Sequence, residues 1–230
     1  MKRNIGGSRR NTVENRDTLE YFLSLLDEAE SLIKGDIYRE RKEIVQYSLQ
    51  KKQETENKAT SECFDAASSC HECPLFRNRH AYAEPLLSEH PSVLFIAPYP
   101  EGNAILSPAA HEYFVKWFKA IHLERKDVAL TTLIKCPSPL FEQDYANKCK
   151  RHVKKEMESL RPKAMVLLGE DASRYMLRRR ESFDAIRKRR WLVNGIPVYC
   201  TYHPEDLVRN QALRRDIWED LQLIAKELAI

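Results

Sequence analysis

The sequence predicts an α/β protein: three layers, α/β/α, around a central parallel four-stranded sheet, preceded by an N-terminal helical extension. Three observations carry that expectation. Four short apolar runs, Ser92-Val-Leu-Phe-Ile-Ala97, Val128-Ala-Leu-Thr-Thr-Leu-Ile134, Ala164-Met-Val-Leu-Leu-Gly169 and Ile196-Pro-Val-Tyr-Cys-Thr201, are continuous and rich in branched residues, as strands covered on both faces are. Helical patterns over 109–122, 144–160 and 171–181 separate them, and another follows at 211–228. Such alternation favours parallel pairing, because a parallel neighbour needs a crossover long enough to hold a helix.

Upstream of this block the pattern differs. Residues 1–16 are polar and basic and read as a tail. Asp17 is a natural N-cap, with Glu20 three residues on, and Leu19, Phe22, Leu23, Leu26, Ala29 and Leu32 recur at helical spacing up to a stop at Gly35. A second, highly charged helix is expected over 37–58. The division is therefore a basic tail with helical extension at 1–60 and an α/β domain at 61–230.

Composition narrows the class. Apolar residues make up 43% and charged residues 31% of the 230, a globular balance. No apolar run approaches the roughly 20 residues of a membrane span, and the basic start is not followed by an apolar secretory core. The expectation is a soluble, cytoplasmic monomer in a reducing compartment, with no membrane partner. There its six cysteines are thiols or metal ligands rather than disulfides. Cys70-His-Glu-Cys73 is a C-x2-C pair, and Cys136 and Cys149 form a wider one. Four thiolates so arranged can hold zinc or an iron–sulfur cluster, and spacing alone leaves both open. Cys63 and Cys200 lack matching partners.

Net charge is +4, but the cations are not spread evenly. Residues 178–190 hold Arg178, Arg179, Arg180, Arg187, Lys188, Arg189 and Arg190 against Glu181 and Asp184. This stretch suits phosphate neutralisation, and equally a solvated helix end. In a parallel α/β sheet the working groups gather at the carboxyl ends of the strands. Those ends are Pro98–Asn103, Lys135–Pro139, Gly169–Asp171 and Tyr202–Arg209.

Taken in order, these segments resemble a known family. Cys70-His-Glu-Cys73-Pro-Leu is similar to the opening C-x-x-C-P-L of family 4 uracil-DNA glycosylases. Thr132-Leu-Ile-Lys-Cys136-Pro-Ser-Pro139 resembles their T-N-x-V-K-C-R-P-P, and Arg161-Pro-Lys-Ala-Met-Val-Leu-Leu-Gly169 their R-P-x-x-I-V-x-L-G. Thr201-Tyr-His203-Pro204-Glu-Asp-Leu207-Val-Arg209 resembles T-Y-H-P-S-x-L-L-R, and Trp218-Glu-Asp-Leu221 the W-x-D-L of the last helix. The ordered set spans about residues 66–225.

The resemblance implies a DNA repair enzyme that hydrolyses the N-glycosidic bond of uracil in single- or double-stranded DNA, after flipping the base out. It implies a 4Fe–4S cluster on Cys70, Cys73, Cys136 and Cys149. His203 would stabilise the departing uracil anion. Leu207 would be the apolar wedge entering the vacated stack, or else a core leucine of a short helix. Arg187, Lys188, Arg189 and Arg190, with Arg209, would hold phosphates.

The pocket motifs depart from the family. Its Gly-Glu-x-Pro-Gly is here Ala97-Pro-Tyr-Pro-Glu101, the following stretch shortens to Gly102-Asn-Ala-Ile-Leu106, and its base-reading asparagine is replaced at about Phe141. The interval from Cys136 to Cys149 is also short. Glu101 then becomes the candidate for positioning water, Asn103 for base reading, and Tyr99 and Phe141 for stacking on the base. Two other outcomes fit these departures: a glycosylase for another deaminated base, and a non-catalytic iron–sulfur DNA-binding module.

Overall fold

The computed structural model describes residues 67–78, 85–88, 90–100 and 102–228. The two expected N-terminal helices, Cys63 and Glu101 lie outside the described residues.

The sheet has five strands: β1 (Val93–Ala97), β2 (Val128–Thr132), β3 (Ala164–Leu168), β4 (Trp191–Val193) and β5 (Ile196–Thr201). Their order is β2-β1-β3-β5-β4. The four runs expected from sequence are β1, β2, β3 and β5, all parallel, with Val93 opposite both Val128 and Ala164, and Met165 opposite Val198. The fifth strand, β4, pairs antiparallel with β5. Asn194 and Gly195 turn between them at φ 52° and 81°, the left-handed pair that a two-residue hairpin needs. Leu86 bridges to Leu130 through two backbone hydrogen bonds of 2.9 and 2.7 Å, occupying part of the β2 edge.

Every residue of β1, β2 and β3 is buried, because helices cover both faces. Alternate side chains divide between two cores. Val93 and Phe95 meet Phe114, Trp117 and Phe118 of α1 (Pro108–Ala120) and Leu221 and Ile224 of α6 (Arg214–Leu228). Leu94 and Ile96 meet Val153, Met157 and Leu160 of α2 (Gln143–Leu160), Ala172 of α3 (Gly169–Leu177) and Ile186 of α4 (Phe183–Arg187). A short helix, α5 (Pro204–Arg209), follows β5. No helix among the described residues is long and apolar enough to cross a membrane.

Chain order places the function. The connection from β1 leads to β2 on one side, and the next strand, β3, lies on the other. Between the carboxyl ends of β1 and β3 the loops diverge and leave a crevice, where open α/β sheets bind ligands.

Candidate active site

A cleft of about 450 Å³ opens there, lined by Pro98 and Tyr99 beyond β1, Gly169 and Asp171 beyond β3, and Tyr202 and His203 beyond β5. The chain after β5 is built to hold one side chain still. His203 is the N-cap of α5, with Pro204 at the first helical position, where a missing N–H costs nothing. The His203 N–H donates to Asp206 Oδ2 at 3.0 Å, and the Glu205 N–H donates to His203 Nδ1 at 3.3 Å. Glu205 is itself buried and accepts from the Ser107 N–H at 2.7 Å and from Ser107 Oγ at 3.0 Å. Ser107 caps α1, so a ring of hydrogen bonds fixes the α5 entry to the start of a helix 98 residues away in sequence. Gly169 completes the wall. At φ 84° its added Cβ would meet His203 Cβ at 3.3 Å, so conformation and space both ask for glycine.

The imidazole is neutral. Burial lowers the His203 pKa to about 4, with Glu205 opposing and Arg209 adding to the depression. Since Nδ1 accepts a backbone hydrogen bond, the ring proton resides on Nε2. That atom is buried and has no hydrogen-bond partner among the described residues. A neutral, fixed donor of this kind is suited to charge that appears on a bound group during reaction. Around it stand carboxylates: Asp171 is raised above the ordinary range by burial and then by Glu170 and Asp206, and Asp206 is raised by burial.

Three of the four paired cysteines, Cys73, Cys136 and Cys149, lie near one another beside the end of β2. Cys73 and Cys136 share a small core with Leu75, Ile134 and Ala146, overlain by Tyr99, Phe141, Tyr145 and Tyr175. The buried Cys149 thiol is pushed up to about 11 by desolvation, against a hydrogen bond from the Lys135 backbone, and Cys73 and Cys136 are close enough to add to the rise. Cys70 is half-buried and accepts from Arg151 of α2 at 3.6 Å; Arg151 also pairs with Glu72. All four are free thiols. Among the described residues no three His, Cys, Asp or Glu side chains close on a point that would hold one metal ion. Below the cysteines, Lys135 Nζ donates to Glu156 Oε2 at 2.7 Å and to Thr131 Oγ1 at 2.6 Å, fully buried. This pair locks the Cys136 loop to the helix carrying Cys149. Cys200 lies in β5 as a core thiol.

Several residues predicted for the site lie elsewhere. Arg187 is 3% exposed and bound by Asp184, Asp216 and Asp220 at 2.9 to 3.2 Å, with its guanidinium over the Tyr202 ring at 5.2 Å. It braces the cleft from behind and offers nothing to a phosphate. Burial alone would lower its pKa, but the three carboxylates outweigh burial and raise it. Leu207 is 2% exposed in the core beside α1, so the wedge assignment fails and the core alternative holds; Val208, next to it, is the exposed apolar residue of α5. Phe141 packs on Tyr175 at 5.8 Å over the cysteines and does not line the cleft, and Asn103 is exposed away from it. Tyr99, His203 and Arg209 do share the cleft. Lys188, Arg189 and Arg190 are exposed, with Arg189 paired to Glu181 at 3.2 Å. The residues that sequence reasoning passed over are Asp171, Glu205, Asp206 and Ser107. The Asp206 cap was legible in principle, since an acid three residues after a capping position is a box signature.

With this geometry in hand, comparison with known proteins gives a consistent result. The profile of the Uracil DNA glycosylase superfamily matches residues 76–222. Similar proteins include the type-4 uracil-DNA glycosylase of Saccharolobus solfataricus, 25% identical over 182 residues covering 72% of this chain and 84% of that one. The type-4 enzyme of Sulfurisphaera tokodaii is 28% identical over 180 residues, 70% and 81% of the two chains. A type-5 uracil-DNA glycosylase of Pyrobaculum aerophilum is 35% identical over 91 residues, 37% and 39%.

Proposed function

Because the chain belongs to the uracil DNA glycosylase superfamily, we propose that it is a DNA repair hydrolase that releases uracil from DNA by cleaving the N-glycosidic bond. The observation that carries this reading is His203, a cleft-lining neutral imidazole whose Nδ1 is taken by the Glu205 backbone donor and whose Nε2 has no partner among the described residues. As the glycosidic bond breaks, its electron pair stays with uracil and the sugar is left electron-poor. A neutral imidazole hydrogen-bonds to the uracil oxygen more strongly as that oxygen becomes anionic, which lowers the barrier rather than merely binding the base. The cleft carboxylates Asp171 and Asp206 would stabilise the sugar's developing positive charge, and Glu101 is the further candidate for holding the attacking water. Tyr99 and Arg209 line the cleft; Tyr99 would stack on the flipped base and Arg209 would meet a phosphate beside it. Val208 takes over the apolar wedge role that Leu207, buried, is unable to fill.

Cys70, Cys73, Cys136 and Cys149 would hold a 4Fe–4S cluster. Their chemistry fits: four thiols in a C-x2-C pair and a wider pair are the donor set such a cluster takes, and the buried Cys149 thiol, pushed up to about 11, loses its proton readily only when a cation supplies the compensating charge. A four-iron cluster takes one thiolate on each iron, so its ligands need not converge on one point. When bound, the cluster supplies a structural tie between the Cys70 segment, the β2 end and α2.

The decisive experiment is single-turnover release from a uracil-containing oligonucleotide. His203→Ala should slow release roughly a hundred- to a thousand-fold, about 3–4 kcal/mol, while DNA affinity stays nearly constant. Uracil release by the variant at the parent rate would end this reading. One observation favours a second substrate: neither Asn103 nor Phe141 reaches the cleft, so the uracil edge is not read by the groups expected for it. Hypoxanthine and xanthine substrates in the same assay separate the two readings. If the iron-loaded parent releases no base at all, a DNA-binding module without chemistry replaces both.

A further inference from the structure

On the face of the sheet opposite α1 and α6, a second and larger groove of about 890 Å³ runs between α2 and α3. Lys150 and Lys154 line it from α2, and Arg174, Arg178, Arg179 and Arg180 from α3 and the segment after it, against a single carboxylate, Asp171. Three of the cations are already engaged: Lys154 with Glu158, Arg174 with Glu170, and Arg179 over the Trp191 ring at 5.0 Å. Lys150, Arg178 and Arg180 are exposed and have no acid partner among the described residues. Arg178 holds φ 54° at the end of α3, a left-handed position that glycine fills more cheaply. The floor is different in kind. Leu133, Val153 and Met157 form its apolar base, and the edge-to-face pair Phe141–Tyr175 stands at one end.

We propose that this groove binds a single strand of nucleic acid continuing away from the flipped nucleotide. Resting on the functional reading above, the inference adds where the flanking strand goes. A polyanion is called for by the cation excess. An apolar floor with aromatic faces suits unstacked bases, which present their rings only in a single strand; a duplex shows its phosphates but hides the base faces. Asp171 lines both the cleft and the groove, so the two adjoin at that residue and a strand leaving the His203 cleft has the groove beside it.

The test is fluorescence anisotropy with single-stranded oligonucleotides of increasing length, using the iron-loaded protein. The parent should bind longer strands more tightly than a short oligomer that fills the cleft alone. The triple variant Lys150→Gln, Arg178→Gln, Arg180→Gln should lose that gain, roughly tenfold or more at low salt. Its salt slope should fall by about 2, at roughly 0.7 per phosphate contact on a single strand. Uracil release from the short oligomer should be unchanged, and an unaltered melting temperature and iron absorbance would show that the variant is intact. If it is not, the pair Arg178→Gln, Arg180→Gln repeats the titration away from the cysteines, with about two-thirds of the effect. An equal length gain in parent and variant overturns the proposal. So does a gain seen with duplex but not with single strand, or displacement of the long strand by polyglutamate at equal charge. Absence of uracil release by the parent removes the functional reading instead, and the groove still stands or falls by the binding titration.

Discussion

The cleft around His203 and the cysteine region beside it each contain a histidine with a buried, unpartnered ring nitrogen, and the pair shows how one physical effect serves two ends. Burial lowers both His203 and His152 to about 4, so both rings are neutral near pH 7. In the cleft the backbone N–H of Glu205 occupies Nδ1 and leaves the proton on the other nitrogen. In α2 neither nitrogen of His152 has a hydrogen-bond partner among the described residues. The surroundings differ in the same way. Around His203 the ties run through backbone N–H groups and helix caps, which local geometry fixes. Around His152 they run mostly through side chains, the buried Lys135–Glu156 pair and Arg151 on Cys70, with one backbone hydrogen bond from Lys135 to Cys149. A backbone-capped site keeps its shape by itself, whereas a site tied by side chains depends on each partner being present.

That contrast breaks most readily at Glu156. Glu156→Ala leaves the Lys135 ammonium buried with no counter-charge, which should cost about 3–5 kcal/mol in urea unfolding and lower iron retention. The His203 pKa, read by NMR, should not move. A cost under 1 kcal/mol would mean the cysteine region is held by something other than this pair.

The pH dependence of stability comes next. Both histidines titrate near 4 when folded and near 6.5 when unfolded, so as pH falls below 6.5 the unfolded chain takes up protons first. Stability is complete above about 6.5 and is lost progressively down to about 4. The loss is about 3 kcal/mol for each ring, from roughly 1.4 kcal/mol per pKa unit. Denaturant titrations between pH 4 and 7 should show this slope, and His152→Leu should remove about half of it. If His152→Leu leaves the slope whole, His152 is not buried neutral.

Ser107→Ala sharpens the cleft side of the comparison. It removes the α1 cap and one of the two hydrogen bonds to Glu205, at about 1–2 kcal/mol by thermal unfolding. It should also slow base release, because Glu205 orients His203; unchanged release would separate the cap from the chemistry. The smallest effect is expected at Arg189→Ala, whose partner Glu181 shares its exposed surface. Stability there should change by less than about 0.5 kcal/mol, and a larger change would mean the pair is less solvated than its position indicates.

The sequence by itself determined whatever depends on neighbours along the chain. Four strands followed from continuous apolar runs, and the long helices from their period, because burial on one face or two leaves a direct mark on residue order. The parallel sheet followed from alternation, and the T-Y-H-P segment marked His203 through its resemblance. The fifth strand was also legible, since Asn194-Gly195 between apolar residues is the strongest short hairpin signal, although Trp191–Val193 is only three residues long.

Only the tertiary structure decided which side chains share a space. Arg187 belongs to a basic run, and nothing within 178–190 reveals that Asp216 and Asp220 arrive from α6 to bury it. Leu207 and Val208 are adjacent apolar residues, and only the docking of α5 against α1 chooses which one is inside. Glu205 gained its role from Ser107, 98 residues away. Phe141 falls over the cysteines rather than the base cleft, where Tyr175 of α3 meets it edge to face. In each case the deciding term is desolvation or pairing between elements distant in sequence. Those energies exist only once the sheet has brought the elements together.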